Sequence, residues 1–413
     1  MAAENKSPEI RFKGFTDKWE EKKYSEIFAK IPNNTLSRAE LNYNYGLAKN
    51  VHYGDVLIKY GELLDVEKDE IPYITDDLYV NKFKTSKLQN GDVIIADAAE
   101  DAMVGKCTEL VNIGEETIFS GLHTIPSRPT FSFASGYLGY YMNSPAYHTQ
   151  LLRLMQGTKV LSISKTVLQV TAIIYPNDIS EQSQIGTYFN NLDNLITLRQ
   201  RKLDKLGTIK KAMLEKMFPK NGALVPEIRF KGFTEDWEER KLGEIVTFIN
   251  GRAYSQNELL NKGKYKVLRV GNFYTNDSWY YSDMELGEKY YANKGDLLYT
   301  WSASFGPHIW HGDKVIYHYH IWKLELSEHL DYFFSVHLLN NDKKKILNDK
   351  NGSTMVHITK AGMEQKFVLI PKIEEQNKIT SFLDNLDQLT TLQQRELEKL
   401  KNIKKACLEK MFV

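Results

Sequence analysis

The sequence predicts an α+β fold in which two globular, strand-rich mixed domains are separated by two long antiparallel helices that pair as a coiled coil. Three observations lead to this prediction. The chain contains an internal repeat, each repeat ends in a long amphipathic segment, and the regions between hold short strand-like runs. Because duplicated halves tend to mimic a symmetric dimer, we expect a pseudo-two-fold arrangement.

The repeat is visible in two pairs of segments. PEIRFKGFTDKWEEKK at residues 8–23 returns as PEIRFKGFTEDWEERK at 226–241. The segment 191–218, which ends in KKAMLEKMF, returns at 385–412, which ends in KKACLEKMF. A period of about 200 residues is far longer than a solenoid repeat, so the chain is a duplicated half-molecule. The regions 24–156 and 242–351 resemble each other only weakly.

The repeat also suggests domain boundaries. We expect an N-terminal segment and a first variable domain over residues 1–178, followed by a central helix over 179–219. A repeat segment and a second variable domain should then occupy residues 220–372, and a C-terminal helix residues 373–413.

The two long segments have the spacing of amphipathic helices. Segment 180–218 has no interior proline, and its leucines, isoleucines and methionines recur mostly three, four or seven residues apart until Pro219. A helix with one apolar stripe needs a partner, and the other copy can supply it. We expect the repeated helices to hold partner proteins and their length to set the spacing of the two domains. The candidate partner-binding residues are Met217, Phe218, Met411 and Phe412.

The variable regions contain short runs bounded by glycine, asparagine and aspartate, as strands often are. These runs lie at residues 54–60, 91–97, 265–270, 295–301 and 314–326. The loops between them mix polar and aromatic residues. Arginine and lysine match guanine edges and phosphates, asparagine matches adenine, and aromatic rings can contact bases. An ordinary polar surface remains the alternative for each loop.

These matches give the candidate DNA-binding residues. In the first half they are Lys59, Lys106, His123, Arg128, Lys159, Ser164 and Lys165. In the second half they are Asn250, Arg252, Arg269, Asn272, Tyr274, Trp301, His308, Thr359 and Lys360.

One short motif, G-[ST]-x4-I-[ST]-K, occurs at residues 157–165 and again at 352–360. Its glycine, hydroxyls and lysine suit the binding of a phosphate. A strand–turn motif of the scaffold explains the same residues equally well.

We expect no metal site and no catalytic residue in this chain. His308, His311, His318 and His320 do not have the spacing of a zinc site. Asp97, Glu100 and Asp101 are better explained as a loop that bonds its own backbone or a base. The sequence also lacks the Walker glycine–lysine motif, the dinucleotide-binding glycines, a nucleophile elbow and any Pro-Pro pair.

Composition limits the remaining classes. The chain has 413 residues, a net charge of only +1 and two distant cysteines, Cys107 and Cys407. A charge near zero argues against a histone-like binder but allows a local basic patch. The sequence shows no secretory signal and no apolar run long enough to span a bilayer. We therefore expect a cytoplasmic protein with no membrane contact.

Over essentially all of its length, the chain resembles the specificity (S) subunits of type I restriction–modification systems. The resemblance rests on the two PEIRF-GF----W segments, the stretches from Pro176 to Gln182 and from Pro371 to Gln376, and the two lysine-rich helix ends. It implies two target recognition domains, each reading one half of a bipartite site in double-stranded DNA. It also implies two methyltransferase subunits that use S-adenosylmethionine, and two restriction–translocase subunits that use ATP and magnesium.

Two other classes stay open at this point. One is a free-standing, duplicated DNA-binding protein of repressor type, and the other is a coiled-coil scaffold that binds no DNA. A scaffold would show no salt-dependent affinity for DNA. The sequence does not give the target, the length of its spacer, the base-reading residues or the face that binds partners.

Overall fold

The computed structural model describes residues 7–157, 159–220, 222–274, 276–302, 304–349 and 358–413. The fold divides into two compact units. Unit 1 comprises Met1–Gln200 together with Arg395–Val413, and unit 2 comprises Arg201–Gln394. The expected boundaries at 178, 219 and 372 lie at the ends of the long helices. The two units are divided differently, because each unit contains one part of each long helix.

Unit 1 is built on short strands. They are β1 (Glu20–Lys23), β2 (Phe28–Lys30), β3 (Leu41–Asn42), β4 (Lys49–Val51), β5 (Leu63–Asp65), β6 (Tyr73–Ile74), β7 (Val93–Ala96), β8 (Ala98–Ala99), β9 (Cys107–Val111), β10 (Ile118–Ser120), β11 (Thr124–Pro129), β12 (Leu161–Ser162) and β13 (Ala172–Tyr175). The largest sheet has the order β2-β11-β7-β9-β5. A four-stranded sheet has the order β10-β4-β6-β3, and β1-β13 and β12-β8 form two-stranded sheets.

Most helices of unit 1 are short. They are α1 (Tyr24–Ile27), α2 (Tyr53–Ile58), α3 (Leu78–Lys82), α4 (Tyr137–Asn143), α5 (Pro145–Leu152), α6 (Lys165–Leu168) and the long α7 (Ile179–Lys216), which continues into unit 2. Single 3₁₀ turns lie at Arg38–Glu40 and Lys84–Ser86.

Unit 2 repeats this plan. Its strands are β14 (Glu238–Lys241), β15 (Val246–Asn250), β16 (Tyr265–Leu268), β17 (Tyr280–Ser282), β18 (Tyr291–Ala292), β19 (Leu297–Thr300), β20 (Gly306–Ile309), β21 (Val315–Tyr317), β22 (Ile321–Leu326) and β23 (Phe367–Ile370). Its helices are α8 (Leu242–Ile245), α9 (Tyr332–Asp349), α10 (Lys360–Glu364) and α11 (Ile373–Lys410), with 3₁₀ turns at Gln256–Glu258, Val270–Phe273 and Glu288–Tyr290. The sheets have the orders β15-β22-β19-β20, β17-β16-β21-β18 and β14-β23.

The predicted α+β fold with an internal repeat and two long helices is confirmed. In unit 1 the helices run antiparallel, because Lys404 of α11 contacts Asp193 of α7 at 2.7 Å while Glu396 contacts Arg199 at 2.9 Å. In unit 2, Lys210 of α7 pairs with Asp387 of α11. No helix in the described part of the chain is long and apolar enough to cross a bilayer.

Two of the predicted strands need correction. Residues 54–60 do not form a strand, because the His52 side chain accepts a hydrogen bond from the Gly54 backbone N–H and starts helix α2. The run 314–326 is not one strand but two, β21 and β22, which belong to different sheets. His318 and His320 therefore lie at a turn and not on one strand face.

The four candidate partner-binding residues are buried in the two cores. Met217 and Phe218 are 2% exposed in unit 2, and Met411 and Phe412 are 3% and 4% exposed in unit 1. They therefore offer no surface to another protein. Their spacing marked the helix stripe correctly, but the apolar ends of the helices are needed inside this chain.

The repeated N-terminal segments explain this burial. In unit 1, Trp19 packs edge-on against Phe412, with ring centroids 6.5 Å apart. In unit 2, Trp237 packs edge-on against Phe218, with centroids 6.0 Å apart. Each PEIRF segment thus receives the C-terminal end of one long helix.

The same segments also bind the start of a long helix. The guanidinium of Arg11 donates to Glu181 of α7 at 2.6 and 2.8 Å, and that of Arg229 donates to Glu375 of α11 at 2.8 Å twice. The Glu181 side chain is only 1% exposed. A buried carboxylate of this kind needs its partner, because isolated charge in a protein interior is costly.

The ion pair between Arg11 and Glu181 predicts that a single substitution lowers the free energy of unfolding much more than a double substitution of both partners does. Arg11→Met should lower the free energy of unfolding of unit 1 by about 3–5 kcal/mol, because Glu181 is left buried and unpaired. Arg11→Met combined with Glu181→Leu should recover most of that loss. Urea denaturation of the full chain, followed by circular dichroism, measures both.

The matched control is Lys264→Met, which removes a cation from an exposed pair with Glu285 and should change stability little. Equal stability of Arg11→Met and the unaltered chain would contradict this role for the pair.

Candidate nucleic-acid interface

Equivalent strand ends carry many of the predicted side chains. In unit 1, Asp97 follows β7 and His123 precedes β11, and the Asp97 N–H donates to the His123 carbonyl at 3.1 Å. In unit 2, Trp301 follows β19 and His320 precedes β22, joined by the same bond at 3.1 Å. We call these regions the strand-end surfaces. In unit 1 the surface comprises Asp97, His123 and their neighbours Asn33, His52, residues 121–122 and Lys165. In unit 2 it comprises Trp301, His320 and their neighbours Arg252, Arg269, residues 318–319 and Lys360.

Two further backbone bonds confirm that the two surfaces correspond. In unit 1, Gly121 N–H donates to the Val51 carbonyl at 2.9 Å, and in unit 2 His318 N–H donates to the Leu268 carbonyl at 2.9 Å. His52 in unit 1 therefore occupies the position of Arg269 in unit 2. The backbone is shared while the side chains differ.

In unit 1, His123 is the centre of the strand-end surface. Its Nδ1 lies 3.1 Å from Oδ1 of Asp97, and its ring contacts Tyr53 edge-on at 5.3 Å. Half of the side chain, 51%, is exposed. The imidazole is thus held in place on two sides and open to solvent.

Lys165 and Ser164 lie beside this histidine. Lys165 Nζ donates to Oδ1 of Asn33 at 2.8 Å, and Nδ2 of Asn33 donates to the Gly121 carbonyl at 3.2 Å. Ser164 starts helix α6 by accepting from the Val167 N–H at 3.2 Å. The cation of Lys165 remains exposed, so the geometry allows a contact with a phosphate.

In unit 2, part of the hydrogen-bonding capacity of Arg252 is used by contacts within the unit. One guanidinium nitrogen donates to Oε1 of Glu258 at 2.6 Å, and the group lies 5.0 Å over the Tyr254 ring. The Glu258 hydrogen bond, followed by the charge of its carboxylate, raises the pKa of Arg252. Asn250, the last residue of β15, is exposed.

Trp301 and Arg269 provide the other prominent groups in unit 2. Nε1 of Trp301 donates to the Tyr319 carbonyl at 2.8 Å, and one face of the indole stacks on Trp322 at 5.8 Å. His320 meets the indole edge-on at 4.9 Å. Arg269 is exposed, and its guanidinium lies 5.1 Å over the Tyr280 ring.

The repeated short motif mainly starts helices. Thr359, like Ser164, accepts a backbone hydrogen bond, here from Gly362 at 3.1 Å. Lys360 Nζ donates to the Phe248 carbonyl at 2.7 Å. Thr158, Gly352 and Ser353 of the motif lie outside the described residues.

His308, Phe273 and Tyr274 form a separate aromatic group in unit 2, and Asn272 lies next to Phe273 in the sequence. His308 stacks on Phe273 with ring centroids 4.2 Å apart, and its Nε2 lies 3.4 Å from the Tyr274 hydroxyl. Burial, assisted by the charge of Lys343, lowers the pKa of His308 to about 4. The Asn272 amide donates to the carbonyls of Asn276 and Ser278, so it holds its own loop.

Three other candidates use their charge inside unit 1. Arg128 donates to Asp92 at 2.9 and 2.7 Å, and Lys106 donates to the carbonyls of Leu57 and Tyr60 at 2.8 and 2.9 Å. Lys59 donates to the Glu70 carbonyl at 2.7 Å. Lys159 is exposed. The structure does not bring these four residues into the strand-end surface.

The candidate residues taken from the sequence omit Asn33, Tyr53 and Tyr319, and the sequence leaves open whether the Asp97 loop bonds its own backbone or a base. A signal was available for Asp97, since extending the alignment of Gly91-Asp92 with Gly295-Asp296 places Asp97 opposite Trp301. Within the described residues, no group of histidine, cysteine and acidic side chains is arranged to hold a metal ion.

The arrangement can recognise base edges and phosphates. Asp97 offers acceptors, Arg252 and Arg269 offer donors, and Trp301 offers an apolar ring, while Lys165 adds an exposed cation in unit 1. This combination of groups is the one used for direct contact with DNA.

Comparison with known proteins adds the family. The model of the type I restriction modification DNA specificity domain matches twice, at residues 16–208 and 234–402. The chain is similar to two Methanocaldococcus jannaschii proteins, the type I restriction enzyme MjaVIII specificity subunit and the putative MjaX specificity subunit. Each is 25% identical, over 60% and 76% of this chain. These matches span 63% and 76% of the two relatives, respectively, so the first falls short of two thirds of that protein.

The fold is similar to a solved structure as well. The type I restriction–modification S subunit from M. genitalium superposes with a TM-score of 0.58 at 13% identity, covering 98% of this chain and 99% of that one. The likeness supports the repeated architecture described above.

The pKa of His308 gives a testable pH dependence. Its depression from 6.5 to about 4 means that the imidazole stays neutral at pH 7 and cannot serve as a cation for phosphate. Because the folded chain disfavours protonation, this residue should lower the stability of unit 2 as the pH falls from about 6.5 towards 4.

NMR titration of the histidine ring protons measures this pKa directly, with His308→Gln to assign the resonance. The His308 signal should not move above about pH 5, whereas the same chain in urea should titrate normally. A midpoint near 6.5 in the folded chain would show that His308 is not desolvated.

Proposed function

Because the chain belongs to the type I restriction–modification DNA specificity family, we propose that it is the DNA-recognition subunit of such a complex. Unit 1 and unit 2 would each read one half of a bipartite target in double-stranded DNA. One observation carries this proposal. The two strand-end surfaces share their backbone hydrogen bonds, yet Asp97 stands where Trp301 stands and His52 where Arg269 stands.

A shared scaffold with different side chains is what reading two different sequences requires. Bases are distinguished by the pattern of donors, acceptors and methyl groups at their edges. If both units presented the same groups, the two half-sites would have to be identical. The repeated backbone therefore supports the same mode of docking on DNA for both units. The different side chains support two half-sites with different base sequences.

The chain itself would be non-catalytic and would bind no cofactor. Methylation with S-adenosylmethionine, and ATP- and magnesium-dependent restriction, would belong to its partners, two methyltransferase and two restriction subunits. Such a complex would act in the cytoplasm. The family name supports the association with modification and restriction activities, and the doubled helices support a stoichiometry of two.

The long helices also carry an exposed apolar surface at repeated positions. Leu195 and Leu198 of α7 are 44% and 61% exposed, and Leu389 and Leu392 of α11 are 45% and 49% exposed. The first leucine of each pair aligns with the first of the other in the repeat, and so does the second. These leucines, and not the buried helix ends, are our proposed docking positions for the two methyltransferase subunits.

Charging one leucine pair tests this assignment. Leu195→Glu with Leu198→Glu should remove one of two methyltransferase subunits, because carboxylates cannot be buried unpaired in an apolar interface. Native mass spectrometry of the purified complex counts the subunits. Leu78→Glu, at another exposed leucine, is the matched control. Two retained methyltransferase subunits would contradict the assignment.

Exchanging one variable region tests the reading of half-sites. Replacing residues 24–156 by the corresponding region of another family member should change one half of the methylated sequence and leave the other half intact. Sequencing of methylated bases in cells that carry the complex reads both halves together. The reciprocal exchange of residues 242–351 is the control and should change the opposite half.

Three results would contradict the proposed function. A change in both halves after a single exchange would show that the units do not read independently. Sequence-specific binding by the chain alone, with no methyltransferase in the cell extract associating with it, would favour the free-standing repressor. Absence of salt-dependent DNA binding would favour the scaffold.

A further inference from the structure

The residue pairs at the centre of the two strand-end surfaces differ in the chemistry they expose. In unit 1, Asp97 uses Oδ1 to meet His123 at 3.1 Å, and its side chain is 27% exposed. A carboxylate has two oxygens and several acceptor positions. One contact with a neighbouring imidazole therefore leaves acceptor capacity on a partly exposed side chain.

The backbone at His123 supports a functional role for this pair. Its φ is +53°, in the left-handed region that residues other than glycine adopt in only a few per cent of cases, among which asparagine, aspartate and histidine are the most frequent. Local strain of this kind persists where the surrounding structure fixes it, often at binding sites. Here the ring contacts with Tyr53 and the bond to Asp97 fix the imidazole, which in turn orients the carboxylate.

The equivalent pair in unit 2 offers no carboxylate. The indole N–H of Trp301 is already donated to the Tyr319 carbonyl at 2.8 Å, and one ring face stacks on Trp322. What remains for a ligand is the partly exposed, apolar part of the ring. A thymine methyl group is the apolar feature of the major groove.

We propose that these pairs discriminate bases in their half-sites: Asp97, positioned by His123, accepts a hydrogen bond from the exocyclic amino group of adenine or cytosine, and Trp301 contacts a thymine methyl group. This inference rests on the proposed function, because it assumes that each strand-end surface faces a base pair. It assigns one position in each half-site to a named side chain. Lys165, which donates to Asn33, and Lys360, which donates to the Phe248 carbonyl, are the phosphate contacts that this proposal includes.

A library of DNA duplexes with a randomised central segment tests the proposal. The full chain in complex with its methyltransferase subunits selects duplexes, and sequencing gives the preference at each position. Asp97→Asn converts one acceptor oxygen into a donor, and should weaken the preference for adenine or cytosine at one position of one half-site by roughly 10- to 100-fold. The other half-site should be unchanged, and the base that is lost distinguishes adenine from cytosine.

Two further variants complete the design. His123→Asn keeps a residue that tolerates the left-handed backbone and should relax the same position as Asp97→Asn. Trp301→Gln should reduce the preference for thymine at one position in the opposite half-site. Glu115→Gln is the matched control, because it removes an exposed carboxylate from the loop that enters β10 at the end away from residues 121–123.

The outcomes separate this inference from the proposed function. If the unaltered complex selects no bipartite sequence, the proposed function fails, and the inference fails with it. If it selects one, and both Asp97→Asn and His123→Asn select it with the same preference at every position, the inference alone is overturned. Thermal melting shows whether Asp97→Asn is folded, and His123→Asn carries the test if it is not.

Discussion

Both units depend on one kind of contact, the buried ion pair between the arginine of a PEIRF segment and the glutamate that begins a long helix. The neighbouring glutamine completes the junction: Gln182 donates to the Pro176 carbonyl and accepts from Ala134, and Gln376 donates to the Pro371 carbonyl and accepts from Asp331. A helix N-terminus also favours nearby negative charge. The adjacent glutamate and glutamine thus connect the PEIRF segment, the preceding strand, the domain and the helix. This shared role explains why the sequence around them occurs in both halves of the chain.

The same junction occurs in both units, but the contacts between each domain and the long helices differ. In unit 1, Lys404 reaches both Glu62 and Asp193, at 2.8 and 2.7 Å, and is largely buried. In unit 2, Lys210 pairs with Asp387. The first domain is therefore fastened to α11 by an additional charge of its own. Because the junction is the same and only the ion pairs to the helices differ, each domain can diverge in sequence without disturbing the helix pair.

Periodicity and repetition predicted the long helices, the internal repeat and most strands, because these depend on local spacing. Tertiary contacts decided the rest. Residues 54–60 have the composition of a strand, but a single cap from His52 makes them helical. Arg128 has the chemistry of a base-reading residue, yet Asp92, 36 positions away, takes both ends of its guanidinium. Spacing identified Phe412 as part of an apolar stripe, but only the fold shows that the stripe's end is covered.

The division into units has a consequence for synthesis. Unit 2 is one continuous stretch, whereas unit 1 needs residues 395–413 to complete its core. Phe412, which lies in this segment, packs against Trp19, Tyr137, Tyr141 and Phe189. Because the ribosome adds residues in order, all residues of unit 2 are made before residues 395–413, which unit 1 needs. Loss of residues 411–413 would consequently open the core of unit 1, although most of that unit precedes residue 201 in the sequence.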